Sequence, residues 1–278
     1  FESYQALLAR LAVDADTDWR RCSLVGAAER DALVAEAQRI ATTPLPTGNL
    51  HDAFYRQAGS RPDATALQWD CDGERQQLSY RELAAQADAI AGYLDAVAGS
   101  DDATVAVVGS WQPDMVAAMI GILRSGRSYL PVDFDYPPSR VEHILNDAGR
   151  PPVLLQHGLP APDGFADRCH PVREAMASGR TPAAPAAHGD IAYTVYTSGS
   201  TGKPKGVRVG HGAAVYSTAE RSRVYAQWPP ETFLLLSSFA FDSAVAGLWW
   251  TLPTGGCLRL VDRTTARAAE AVAALIHR

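Results

Sequence analysis

Apolar residues recur at helical spacing at Tyr4, Leu7, Leu8 and Leu11, which predicts a helix over residues 4–13, and a second helical pattern runs from Ala27 to Ile40. The run Thr42-Thr43-Pro44-Leu45-Pro46-Thr47-Gly48 then breaks the periodicity, because two prolines remove backbone donors and restrict the residues before them. The main domain boundary is placed there, dividing the chain into residues 1–45 and 46–278. Beyond it, short apolar bursts alternate with amphipathic segments. Ser79-Tyr80-Arg81-Glu82 is a capping box leading into a helix with Leu83, Ala87, Ile90 and Leu94 on one stripe. Thr104 to Val108 reads as a strand, and Pro113 opens a helix carrying Met115, Met119, Ile122 and Leu123 that Gly126 stops. Arg127 to Leu130 reads as the next strand, Pro138 begins a helix with Val141, Ile144 and Leu145, and Val153 to Leu155 is a strand again. Further strands are predicted at Ile191–Tyr196, Val207–Val209, Phe233–Ser237 and Leu258–Val261, with helices over 211–225, 243–252 and 265–277. The alternation defines an α/β fold whose sheets are covered by helices, favours parallel pairing, and places ligands where strand ends meet loops. The Ala/Pro/Gly-rich stretch 178–189 reads as a surface connection.

Composition narrows the function classes. A 278-residue chain that is 47% hydrophobic and 20% charged can bury a substantial core, which argues against disorder. With 25 basic and 31 acidic side chains the net charge is -6, so no overall field draws nucleic acid or an anionic membrane, and an anionic ligand needs a local site. Cys22, Cys71, Cys169 and Cys257 form no C-x-x-C pair and read as free thiols of a reducing, cytoplasmic compartment. No apolar run reaches the roughly eighteen residues of a membrane span, and Phe1-Glu2-Ser3-Tyr4 is not a signal peptide. A start without methionine suggests an excerpt from a longer protein. The seven histidines show no H-x-x-x-H or H-E-x-x-H spacing, so no protein-built metal site is expected.

The densest chemistry lies in Tyr193-Thr194-Val195-Tyr196-Thr197-Ser198-Gly199-Ser200-Thr201-Gly202-Lys203-Pro204-Lys205-Gly206. A strand of aromatic and β-branched residues delivers hydroxyls at Thr197, Ser198, Ser200 and Thr201. Gly199, Gly202 and Gly206 let the backbone turn and present amides, while Lys203 and Lys205 add positive charge. Together they form an anion cradle directly after a strand. A solvated hairpin loop is the bland alternative, and a Walker A loop fails because Pro204 follows Gly202-Lys203 and Thr197 stands where its first glycine belongs.

The segment 197–206 resembles the signature loop of adenylate-forming enzymes, a superfamily of acyl-CoA synthetases, luciferases and the adenylation domains of nonribosomal peptide synthetases. Leu78-Ser79-Tyr80-Arg81-Glu82-Leu83, the run from Gly121 to Asp133, and Tyr136-Pro137-Pro138-Ser139-Arg140 resemble peptide-synthetase motifs, departing from them at Arg127 and Ser128. Phe239-Ala240-Phe241-Asp242-Ser243 resembles the segment whose aspartate pairs with the α-ammonium of an amino acid. The resemblance therefore implies ATP-phosphate binding by Thr197, Ser198, Gly199, Ser200, Thr201, Gly202, Lys203, Lys205 and Gly206, with Lys205 the weaker assignment. It implies amine recognition by Asp242 beside Phe241, and a side-chain pocket lined in part by Ser243 and Ala246. A structural role for Asp242, capping the helix that follows, is the alternative. Trp249 and Trp250 are expected to pack the helix rather than stack on a ligand. Phe1 to Leu11, followed by Pro44-Leu45-Pro46-Thr47-Gly48 and His51-Asp52-Ala53-Phe54, resembles the end of a condensation domain, more particularly the heterocyclisation variety, so residues 1–45 are assigned to such a domain and its linker. That variety favours a serine-, cysteine- or threonine-like substrate, and Ser243 and Ala246 do not show the usual cysteine-pocket pattern.

The resemblance covers about residues 46–278, the N-terminal part of an adenylation domain, and implies that the catalytic lysine and the adenine- and ribose-binding segments lie beyond Arg278. On that expectation the 278 residues alone form no adenylate at a useful rate. The implied activity is ATP-dependent conversion of an amino acid to aminoacyl-AMP, with Mg2+ arriving on ATP, for loading onto the phosphopantetheine thiol of a carrier protein in the same assembly line as the upstream domain. An acyl- or aryl-acid ligase and a non-catalytic docking scaffold are the alternatives.

Overall fold

The computed structural model describes residues 2–13, 18, 25–41, 47–99, 103–182, 189–197 and 203–276. The chain divides into two compact units, Phe1–Leu45 and Pro46–Arg278. The first contains helices α1 (Glu2–Val13) and α2 (Ala27–Ala41). On α1, Leu7 and Leu11 are half-buried whereas Tyr4 and Leu8 are exposed, so the predicted apolar face is only partly covered.

The second unit runs α3 (Asp52–Ser60), β1 (Thr65–Cys71), β2 (Glu74–Ser79), α4 (Tyr80–Val97), β3 (Thr104–Gly109), α5 (Pro113–Arg124), β4 (Ser128–Asp133), α6 (Pro138–Asp147) and β5 (Val153–Leu155). It continues with β6 (Cys169–Pro171), α7 (Val172–Ala177), β7 (Ile191–Thr197), β8 (Lys205–Gly210), α8 (His211–Val224), β9 (Thr232–Leu235), α9 (Asp242–Thr251), β10 (Cys257–Leu260), α10 (Arg263–Arg267) and α11 (Ala269–Ile276). The strands form a four-stranded sheet, β2-β1-β10-β9, and a six-stranded sheet, β6-β5-β3-β4-β7-β8. Pairing is parallel as expected except in two hairpins, β1–β2 and β7–β8, where short loops return the chain without a crossover helix.

Strand alternation gives the larger sheet two cores. Val105, Val107 and Leu154 face one, packed with α4 and α5; Ala106, Val108, Leu130, Val132, Val153 and Leu155 face the other, packed with Val141, Ile144 and Leu145 of α6. The α4 stripe of Leu83, Ala87, Ile90 and Leu94 is fully buried. The helix starts on a complete capping box: the Ser79 side chain accepts from the Glu82 amide, and the Glu82 carboxylate accepts from the Ser79 amide at 2.8 Å. The crossing of α4 and α5 depends on Gly121, where a Cβ would stand 2.6 Å from the Ala87 carbonyl oxygen.

Several predicted boundaries move: the strand expected at Phe233–Ser237 ends at Leu235, that expected at Val207–Val209 begins at Lys205, and three further shifts have a local cause. Gly126 does stop α5, at φ +79°, but Arg127 belongs to the stop and not to the strand: its amide donates to the Ile122 carbonyl at 3.2 Å while that of Gly126 donates to Leu123 at 3.0 Å. This double bond closes the helix end and leaves β4 to start at Ser128. β4 then runs through Pro131 to Asp133 in register with β3, and it pairs with β7 only at Tyr129, which leaves room for a residue lacking an N–H. The predicted helix over 265–277 is two helices, because Asp262 caps an earlier start by accepting from Thr264 and Thr265 and the chain turns extended at Ala268.

Candidate active site

The phosphate loop leaves β7 at Thr197 and returns into β8 at Lys205, its partner in register. Ser198, Gly199, Ser200, Thr201 and Gly202 lie outside the described residues. Thr197, Lys203, Lys205 and Gly206 are exposed at the two ends of the loop. Helix α6 braces both ends. At the entry, the Tyr196 hydroxyl donates to Asp147 Oδ2 at 2.7 Å; at the exit, His143 Nε2 donates to the Pro204 carbonyl at 3.2 Å. Burial, and then the hydrogen bond and charge of Asp147, keep the Tyr196 hydroxyl protonated far above neutral pH. Gly206 lies against the Tyr196 ring, where a Cβ would meet ring carbons at 3.0 Å, so the glycine lets the returning strand pass the tyrosine. Neither anchor on α6 is signalled by the sequence, since a histidine and an aspartate on the polar side of an amphipathic helix look like solvated positions.

Period-2 alternation puts Tyr193, Val195 and Thr197 on one face of β7. On that face, at Tyr193, lies a cavity of about 170 Å³ closed by α8 and α9 and lined by Tyr193, Thr218, Arg221, Asp242, Ala246 and Trp249 among others. Thr197 is four residues further along the strand, about 13 Å at a strand's rise. One strand thus carries both the cavity wall and the start of the loop expected to hold phosphate. Asp242 is the first residue of α9, and its capping alternative fails: the cap position is Phe241, with no side-chain cap hydrogen bond. Its exposed carboxylate makes no ion pair within 4.0 Å among the described residues, although its charge, after burial, raises the Tyr193 hydroxyl's pKa while Arg221 opposes the rise.

Asp242 and Ala246 are brought together on this cavity, as the sequence suggested, but Phe241 and Ser243 are not. Phe241, exposed, lines a separate cavity of about 460 Å³. Ser243 turns away to donate to Ser237 Oγ at 3.0 Å. Successive residues at a helix start point about a quarter-turn apart, so three neighbours do not share one pocket. The larger cavity opens at the carboxyl ends of β3, β4, β9 and β10, where Trp111 Nε1 donates to the Ser237 carbonyl at 2.7 Å and links the loops of the two sheets. Buried Asp133 accepts there from Ser238, and Arg263 pairs with Asp135.

The floor of the smaller cavity is aromatic. Trp249 is buried and donates to the Tyr129 hydroxyl at 2.8 Å; Tyr129 stacks on Tyr193 at 5.5 Å between centroids. Trp250 packs against Tyr225 and Phe233. Both tryptophans are therefore packing residues. Tyr129→Phe leaves the Trp249 N–H buried without its acceptor, an expected loss of about 1–3 kcal/mol read from chemical denaturation. Arg221, Thr218 and Tyr193 are not among the site residues the sequence suggested; spacing at 214, 218 and 221 on α8 is the only signal for the first two, and Tyr193 is signalled only by its place in the strand before the loop.

Among the described residues no group of three or more His, Cys, Asp or Glu converges on a metal-sized site, and no helix is long and apolar enough to cross a membrane. Cys71, Cys169 and Cys257 are free, and burial pushes the Cys169 and Cys257 thiols up to about 11, so they carry little thiolate at neutral pH.

The strand that delivers the hydroxyl-, glycine- and lysine-rich hairpin loop also walls a cavity with an acid at its mouth, in a mostly parallel sheet. The chain belongs to the AMP-binding enzyme family, whose model matches residues 54–278. Its relatives are nonribosomal peptide synthetases. It is 38% identical over 275 residues to phenyloxazoline synthase MbtB of Mycolicibacterium paratuberculosis, covering 97% of this chain and 23% of that protein. It is 31% identical over 252 residues to bacitracin synthase 3 of Bacillus licheniformis, covering 90% of this chain and 4% of that protein. The fold matches the nonribosomal peptide synthetase FmoA3 in its alpha-methyl-L-serine-AMP bound form, with a TM-score of 0.75, 28% identity, and coverage of 99% of this chain and 31% of the other. The chain thus spans a minor part of the length of each.

Proposed function

We propose that this region, within its full-length protein, activates an amino acid with ATP as aminoacyl-AMP. The observation that supports the reading is that Asp242 lines a cavity on the face of β7 that also carries Thr197, where the hydroxyl-glycine-lysine loop begins. In the reaction, a carboxylate oxygen of the amino acid attacks the α-phosphorus of ATP; the new C–O–P bond forms as the bond to pyrophosphate breaks. Thr197, Lys203, Lys205 and the loop segment 198–202 take the charge of the β- and γ-phosphates as it grows on the leaving group, with Gly206 admitting the close approach. Asp242 pairs with the α-ammonium and turns the carboxylate toward that loop. Ala246 leaves room for the side chain, and Phe241 lies beside the adenylate from the larger cavity.

Mg2+ accompanies ATP, and none of the described residues is assigned to it. The activated acyl group passes to the phosphopantetheine thiol of a carrier protein, releasing AMP, in a cytoplasmic assembly line. Residues 1–45 are assigned to the end of an upstream condensation or cyclisation domain and residues 46–278 to the adenylation domain. The alignment with a phenyloxazoline synthase reaches into the first unit and favours cyclisation. Hydroxylamine trapping tests the reading: the full-length protein with ATP, Mg2+ and an amino-acid mixture should yield an aminoacyl hydroxamate, and failure with every amino acid would refute it.

A further inference from the structure

Resting on that reading, we infer that Arg221 selects the substrate by its side chain, favouring a small amino acid that carries a hydrogen-bond-accepting oxygen. Helix α9 runs from Asp242 at the cavity mouth to Trp249 on the aromatic floor, and Arg221 reaches its middle, Nη1 donating to the Ala246 carbonyl at 3.4 Å. Ala246 is one helical turn below Asp242, about 6 Å along the axis. A ligand whose ammonium meets Asp242 and whose side chain follows α9 inward therefore reaches Arg221 within a short span.

The half-buried guanidinium makes no ion pair within 4.0 Å among the described residues, and that one long contact uses one of its five N–H donors. Ser217 and Thr218 add hydroxyls to the same wall, and the cavity volume of about 170 Å³ excludes a large guest. Donors facing an apolar side chain in a closed pocket lose water without replacement, so the site discriminates against the guest that lacks an acceptor. A cationic side chain meets like charge. Serine, threonine, aspartate and asparagine fit; alanine, valine, leucine and lysine do not.

The test is amino-acid-dependent ATP–pyrophosphate exchange by the full-length protein over near-isosteric pairs: serine and alanine, threonine and valine, asparagine and leucine. The wild type should prefer the oxygen-bearing member of its best pair by ~10-fold or more in kcat/KM. Arg221→Met should shrink that ratio to about threefold or less, with the KM for ATP held within ~2-fold. A wild-type preference for the apolar member overturns the inference and needs no variant. So does an Arg221→Met protein that lowers every amino acid equally, since Arg221 then serves the common carboxylate. In both of those results exchange still occurs and the adenylation reading stands; absence of exchange with every amino acid removes that reading and this inference together.

Discussion

Asp242→Ala in the full-length protein is expected to lower kcat/KM for the amino acid by about 10²- to 10³-fold while leaving ATP binding intact. In the structure the carboxylate is exposed and without an ion-pair partner among the described residues, so its removal costs the free protein little: about 0.3–1 kcal/mol for an acid in the first turn of α9. On the proposed function the same carboxylate is covered by bound substrate and faces its ammonium, so that deleting it would leave that charge desolvated and unpaired. Asp242→Asn keeps the shape and one acceptor but not the charge. It should fall close to the alanine variant if charge carries the recognition, and close to wild type if a hydrogen bond suffices. Steady-state exchange kinetics with ATP and amino acid varied in turn separates the two ligands.

The second large effect is expected at the phosphate loop. Lys203→Ala should lower kcat/KM for ATP by about 10- to 100-fold, the range for hydrogen bonds to a charged group. Lys205→Ala should cost less, because Lys205 is already committed to β8 opposite Thr197 and its exposed side chain stands at the rim. Varying ATP at fixed amino acid checks this order; equal effects at the two lysines would reassign the cradle. Neither lysine contributes to the hydrophobic cores, so melting temperatures should stay close to wild type.

Much of this site is written in local sequence. The hydroxyl-glycine-lysine run, the capping box of α4 and the apolar stripes of α4, α5 and α6 each depend on residues within a turn or two of one another, and periodicity exposes them directly. The β1–β2 hairpin is equally local and yet hard to read: Asp72-Gly73, both at positive φ, is a two-residue turn of the kind that matches strand twist. It lies between strands whose apolar alternation is weak, since every β2 residue before Leu78 is exposed. Pro131 misleads in the opposite direction, because whether a proline ends a strand depends on the neighbour's hydrogen bonds and not on the proline.

The parts that no local pattern carries are those fixed by packing between distant elements. That Ser243 turns to Ser237 while Asp242 and Ala246 line the cavity together with Arg221 follows from the way α9 packs on α8 and β9. That His143 and Asp147 hold the phosphate loop follows from α6 lying under the β7–β8 hairpin, some fifty residues away in sequence. A family resemblance transfers the role of a motif position; it does not say which neighbouring side chain completes the wall.

The most direct measurement compares ATP–pyrophosphate exchange by the full-length protein with its best amino acid and with the same acid lacking the α-amino group. Binding of a polyphosphate beside an amine-reading aspartate predicts exchange with the amino acid and a loss of at least about 10²-fold with the des-amino acid, a difference that Asp242→Ala should largely erase. Equal exchange with both acids, or none with either, would contradict the assignment.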